Sequence, residues 1–185
     1  GLLDLWTQIL RDVPESRLLI GRNTLQGATA DLWRERFAGR GIAAGRVELR
    51  HIVPVGLGHL RLYDGVDVAL DCFPWSGHTT ACEALWMGVP VVTLRGRSCA
   101  GRMVASVLEA AGLPELVAET PDDYRRIAAE LARDAARRKE LRETLRPRLL
   151  RSPLCDKAAF TRGLEEAYRA TWRAWCEKRG AGFTS

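Results

Sequence analysis

Val66-Asp-Val-Ala-Leu-Asp-Cys-Phe-Pro-Trp-Ser-Gly-His-Thr-Thr-Ala-Cys-Glu-Ala-Leu-Trp-Met-Gly-Val-Pro-Val-Val-Thr-Leu94 holds one complete strand–loop–helix–strand unit. Val66 to Asp71 is a short apolar run of strand type. Cys72-Phe-Pro-Trp-Ser-Gly77 carries the Pro and Gly that punctuate a loop. His78 to Met87 has the length of a short helix, and Gly88 closes it. Pro90-Val-Val-Thr-Leu94 is nearly all apolar, as a strand covered on both faces must be. Two such strands joined through a helix run parallel.

The same alternation extends outward. Leu2, Leu5, Trp6, Ile9 and Leu10 fall at helical spacing, and Pro14 stops the run. Ser16 to Gly21 and Arg46 to Ile52 are expected strands, with a helix from Ala28 to Phe37 between them. The Gly-rich loop Val53 to Gly58 leads into a short helix, His59 to Tyr63. Ala100 to Ala111 is an expected helix, and Glu115 to Ala118 an expected last strand. Thr120 and Pro121 open a helical region with a charged outer face. A terminal helix, Lys157 to Lys178, carries Phe160, Leu164, Tyr168, Trp172 and Trp175. The expected fold is α/β: a Rossmann-like parallel sheet flanked by helices, with further helices at the C-terminus. Residues 1–180 are read as a single lobe and 181–185 as a frayed tail. Ligands of such sheets bind beyond the C-terminal strand ends, which points to the loops after Ile52, Asp71 and Leu94.

The chain has 185 residues, 46% hydrophobic and 28% charged, with a net charge of +5. That composition excludes wholesale disorder. Arginine supplies nearly all the positive charge; Lys139, Lys157 and Lys178 are the only lysines. Five cysteines, an odd number with no CxxC pair, argue against a disulfide framework and for a reducing compartment, read here as cytoplasmic. No apolar run is long enough to span a bilayer. The first residues lack a signal-peptide pattern and read as the middle of a longer chain.

Chemistry concentrates in Ser76-Gly-His-Thr-Thr-Ala-Cys-Glu83. A helix N-terminus offers unpaired N–H groups and a positive dipole end, which together bind phosphate without a lysine. Gly77 allows close backbone approach, and Thr79 and Thr80 add hydroxyls. Glu83, a turn later, could accept from ribose hydroxyls. Local chemistry alone favours a plainer reading, in which Thr79 or Thr80 caps the helix and Glu83 makes a capping box with Thr80. Three further readings stand beside these. Cys72, His78 and Cys82 could hold zinc, although structural zinc prefers four ligands at tighter spacing. The arginines from Arg125 to Arg151 could form a nucleic-acid face, although acids interrupt them and aromatics do not interleave. Trp172 and Trp175 could serve a non-catalytic scaffold.

The 66–94 stretch resembles the C-terminal catalytic lobe of the O-GlcNAc transferase family, inverting UDP-sugar-dependent enzymes of the GT-B fold. Arg11 to Ile20, Ala100 to Ser106, Arg151 to Leu154 and the Trp-bearing terminal helix are also similar, so the resemblance covers nearly the whole chain. It implies that His78, Thr79 and Thr80 hold the diphosphate of the donor, that Glu83 binds the ribose where animal enzymes carry Asp, and that His59 lies against the uridine. It implies a UDP-sugar donor, UDP-GlcNAc above all, metal-independent transfer to Ser or Thr of a protein acceptor, and an N-terminal catalytic lobe outside this chain, commonly preceded by tetratricopeptide repeats. This chain departs from the family in the loop before His59, which has no base-contacting lysine, and in Leu62, where the family has an arginine. No Asp-x-Asp metal motif occurs. The donor site is therefore expected at His59, Gly77, His78, Thr79, Thr80 and Glu83, with no catalytic residue and no metal ligand assigned within the chain.

Overall fold

The computed structural model describes residues 1–52 and 58–180. Seven helices and five strands are described: α1 (Leu2–Asp12), β1 (Leu18–Arg22), α2 (Gly27–Ala38), β2 (Val47–His51), β3 (Ala69–Leu70), α3 (Thr79–Trp86), β4 (Val91–Leu94), α4 (Met103–Ala110), β5 (Val117–Ala118), α5 (Pro121–Arg133), α6 (Ala135–Arg151) and α7 (Lys157–Gly180). Every strand pair is parallel. β1 pairs with β2, Leu18 opposite Val47, and β3-β4-β5 form a second ladder with Ala69 opposite Val91 and Thr93 opposite Val117. This is the expected α/β arrangement of parallel strands flanked by helices.

The core lies between the β3-β4-β5 ladder and its helices. Leu85, Val92, Val104, Leu108, Tyr124 and Leu145 are fully buried. Each such side chain contributes roughly 1.5–3 kcal/mol by leaving water. The apolar stripe of α1 (Leu5, Trp6, Ile9, Leu10) is buried as its spacing predicts, and α1 packs on α5. Asp12 of α1 accepts two hydrogen bonds from Arg125 of α5, one of them 2.7 Å from Nη2.

Two expected strands are shorter in the structure, for identifiable reasons. Val66 to Val68 stay out of the ladder because the Val66 N–H donates to Tyr63 O and the Val66 carbonyl accepts from Arg142. Pro114 opens a 3-10 turn over Pro114–Leu116, so only Val117–Ala118 remain as strand. His59 likewise sits on a 3-10 segment, Gly58–Gly65, rather than an α-helical turn.

The helical region after Thr120 divides in two. The Thr120 hydroxyl accepts from Asp123 N at 3.1 Å and caps α5. Asp134 accepts from Arg137 N at 2.9 Å and caps α6. α6 meets the end of α3 at Gly88, whose φ is +78°; a Cβ there would lie 2.7 Å from the Arg142 carbonyl. Several arginines end on backbone carbonyls. Arg46 donates to Leu10 O, Val13 O and Ser16 O, Arg138 to Leu131 O and Ala132 O, and Arg146 to Trp86 O.

α7 is different in kind. Residues 157–179 are all exposed, including Phe160, Tyr168, Trp172 and Trp175. Trp172 and Trp175 stack with centroids 5.0 Å apart, and Arg179 lies over the Trp175 ring. The segment 181–185, expected to fray, lies outside the described residues, as does most of the Gly-rich loop before His59.

Candidate functional site

The loop from Cys72 to Gly77 carries the chain from the C-terminal end of β3 to the start of α3, and its Phe73–Pro74 bond is cis. His78 is the N-cap of α3, with no side-chain cap bond, and Thr79 and Thr80 form its first turn. His78, Thr79 and Thr80 are exposed. Among the described residues, no acceptor takes the N–H groups of Thr79, Thr80 or Ala81. Glu83 does not close a capping box onto Thr80; its carboxylate points elsewhere.

That carboxylate meets His59. His59 Nε2 and Glu83 Oε1 are 3.1 Å apart, and each side chain is about a quarter exposed. Tyr63, on the same 3-10 segment as His59, donates its hydroxyl to Thr80 O at 3.1 Å. Burial, and secondarily the Glu83 carboxylate, push the Tyr63 phenol up, which keeps it a donor. The structure therefore brings His59 and Glu83 together and ties their segment to the first turn of α3. Gly77 and His78 adjoin the same turn.

Beneath the loop lies a polar cluster that sequence reasoning did not single out. Asp71 is buried, 8% exposed. Its Oδ2 accepts from Ser76 Oγ and Thr93 Oγ1, each at 2.6 Å, and its Oδ1 accepts from Gly77 N at 2.8 Å. The Asp71 carbonyl accepts from the Tyr124 hydroxyl at 2.9 Å. Gly77 is closely approached: a Cβ would lie 2.8 Å from Thr80 Oγ1, so a side chain there would have to displace that hydroxyl. Its amide is taken by Asp71 and is not open to a ligand. Of its members, the sequence points to Gly77 as a site residue and to Ser76 as the start of its stretch, and to Asp71 only as the end of a strand; Tyr124 comes from 53 residues further on.

The remaining readings meet definite structures. Among the described residues, no three His, Cys, Asp or Glu side chains are grouped to hold a metal. The arginines of α5 and α6 are engaged: Arg125 with Asp12, Arg126 with Asp123 and Glu130, Arg137 with Glu115, and Arg142 and Arg146 with carbonyls. Two surface depressions of about 510 and 490 Å³ lie around Glu115, Asp134 and Arg137; neither is lined by α3.

Comparison with known proteins adds to this geometry. Residues 1–164 match the family model described as glycosyl transferase family 41. The chain is 39% identical over 180 residues to a probable UDP-N-acetylglucosamine–peptide N-acetylglucosaminyltransferase SPINDLY of Hordeum vulgare, covering 95% of this chain and 19% of that one. It is 33% identical over 173 residues to the UDP-N-acetylglucosamine–peptide N-acetylglucosaminyltransferase of Caenorhabditis elegans, covering 94% and 15%. A solved structure of a mutant O-GlcNAc transferase from Thermobaculum terrenum superposes with a TM-score of 0.89 at 45% identity, over 96% of this chain and 34% of that one. The chain thus spans a minor part of the length of each relative.

Proposed function

This chain belongs to glycosyl transferase family 41, and from that premise we propose that it is the donor-binding lobe of an inverting enzyme that moves N-acetylglucosamine from UDP to Ser or Thr hydroxyls of proteins. The observation that carries the reading is the first turn of α3. Its exposed amides have no protein acceptor among the described residues, and they adjoin the paired His59 and Glu83. A diphosphate fits the amides, and a ribose with its base fits the pair.

In this reading the Thr79, Thr80 and Ala81 amides and the two threonine hydroxyls receive the diphosphate, His78 flanks it, and Gly77 shapes the approach. Glu83 accepts from the ribose and His59 lies against the uracil. Transfer builds negative charge on the departing UDP. Oriented N–H groups at a helix N-terminus stabilise such charge with no reorganisation during the reaction, so no metal is assigned a part. The protein acceptor and the group that activates it belong to an N-terminal lobe outside these 185 residues. The chain alone binds donor and does not turn over. The exposed aromatic stripe of α7 suits contact with that lobe. Five free cysteines suit a reducing, cytoplasmic setting, and no described helix is long and apolar enough to cross a membrane.

Titrating UDP into the chain while following the backbone amides of residues 78–83 and the histidine rings by NMR tests the reading. UDP is expected to shift these signals, with GDP weaker. Glu83→Ala and 2′-deoxy-UDP are each expected to weaken binding by about tenfold, and the two losses should not add, because both remove one contact. A spectrum unmoved by millimolar UDP would overturn the donor site.

A further inference from the structure

We propose that Asp71 is the positioning residue of the donor site, mooring the 72–77 loop so that the open amides of α3 are held in place. The proposal rests on the donor reading above and deepens it.

Three donors from two parts of the chain converge on one buried carboxylate: Ser76 Oγ and Gly77 N from the end of the loop, just before α3, and Thr93 Oγ1 from β4. Ser76 Oγ also accepts from Val104 N at 3.1 Å, in the first turn of α4. Through Ser76 and Gly77, one side chain therefore ties the N-terminal ends of two helices to the end of β3. The Ser76 N–H adds a bond to Ala100 O, 3.1 Å away. Among the described residues, no arginine or lysine pairs with Asp71. Its oxygens are met by hydroxyl and amide donors instead.

The chemistry selects a carboxylate. An ionised Asp is acceptor-only and can take all three donors at once, whereas Asn would turn an NH2 group on two hydroxyls or on the Gly77 amide. Diverting the Gly77 amide to Asp71 leaves those of Thr79, Thr80 and Ala81 for the ligand. A mobile loop would present those amides in many orientations. A moored one presents them in one, so the donor does not bear the cost of ordering them.

The test uses Asp71→Asn, Ser76→Ala and a core variant, Leu113→Ala, whose parent side chain is fully buried beyond the C-terminal end of α4. Two readouts are UDP affinity by calorimetry and hydrogen exchange at the Gly77 amide. Asp71→Asn and Ser76→Ala are expected to weaken UDP by about tenfold and to speed Gly77 exchange. Leu113→Ala is expected to lower the melting temperature while keeping UDP affinity within about threefold, because a core cavity lowers stability without touching the loop. The proposal is overturned when Asp71→Asn and Ser76→Ala bind UDP like the parent, or when all three variants lose affinity in step with melting temperature. Should Asp71→Asn fail to fold, Ser76→Ala alone decides between those results. Where even the parent ignores UDP, the donor reading falls, and Gly77 exchange still decides the mooring: faster exchange in Asp71→Asn supports it and unchanged exchange refutes it.

Discussion

Replacing Tyr124 by Phe removes one oxygen from the centre of the molecule. Tyr124 is fully buried, its hydroxyl donates to the Asp71 carbonyl at 2.9 Å, and its ring meets Phe73 edge-on with centroids 6.2 Å apart. Phe keeps the ring contact and deletes the donor. A buried carbonyl that loses its partner costs about 1–3 kcal/mol. For a chain of this size, that corresponds to a fall of roughly 3–10 °C in melting temperature. Burial also pushes the Tyr124 phenol far above its ordinary value, and this gives the difference a pH signature. The folded-state pKa lies above the unfolded one, so the stability tied to the neutral phenol is full below about pH 10 and is lost as pH rises beyond it, by up to about 1.4 kcal/mol per pH unit. The Phe variant has no such proton to lose. Urea unfolding of parent and variant, at neutral pH and at several points above pH 9, measures both effects. The gap between them should be open at neutral pH and should narrow in alkali. A neutral-pH gap under about 0.5 kcal/mol would refute the hydrogen-bond assignment, and a gap that stays constant into alkali would refute the burial of the phenol.

Asp12→Asn tests the tie between α1 and α5 from the acid side. The Arg125 hydrogen bonds hold the Asp12 carboxyl below its usual range, so its contribution is present above the unfolded-state value and is lost as pH falls below it. The stability gap between parent and variant should therefore close on acidification, as followed by circular dichroism. Ending the chain after Asp156 removes α7, whose described residues are all exposed; the melting transition of the rest should move by less than about 1 kcal/mol in stability. A large drop in calorimetry would show that α7 supports the α/β body.

The alternation of apolar runs and short helices was legible because it repeats a period along the chain, and β1, β2, β4, α1 and α3 lie close to where that period puts them. Boundaries failed where a distant side chain competes for backbone. Val66 reads as strand, yet Arg142 takes its carbonyl, and no local pattern announces a guanidinium that far away. The break at Asp134 was readable in principle, since Asp before a helical run is a cap, but the uniform charge around it concealed the signal. The site divides along the same line. Gly77, His78, Thr79, Thr80 and Glu83 fall within seven residues and speak through one short stretch. Pairing Glu83 with His59, and converging Ser76, Thr93 and Tyr124 on Asp71, are facts of three dimensions. A serine or threonine in a loop or strand carries no mark of the carboxylate it will meet.

The use of arginine to close off carbonyls has a practical outcome for anyone handling this protein. Guanidinium groups hold the last turn of α1 through Arg46 and the end of α3 through Arg146, and amine-reactive reagents do not touch them. The lysines are Lys139, Lys157 and Lys178, all exposed and all on α6 or α7. A dye or crosslinker aimed at lysine would therefore decorate the last two helices and leave the 72–77 loop and the first turn of α3 in their native chemistry.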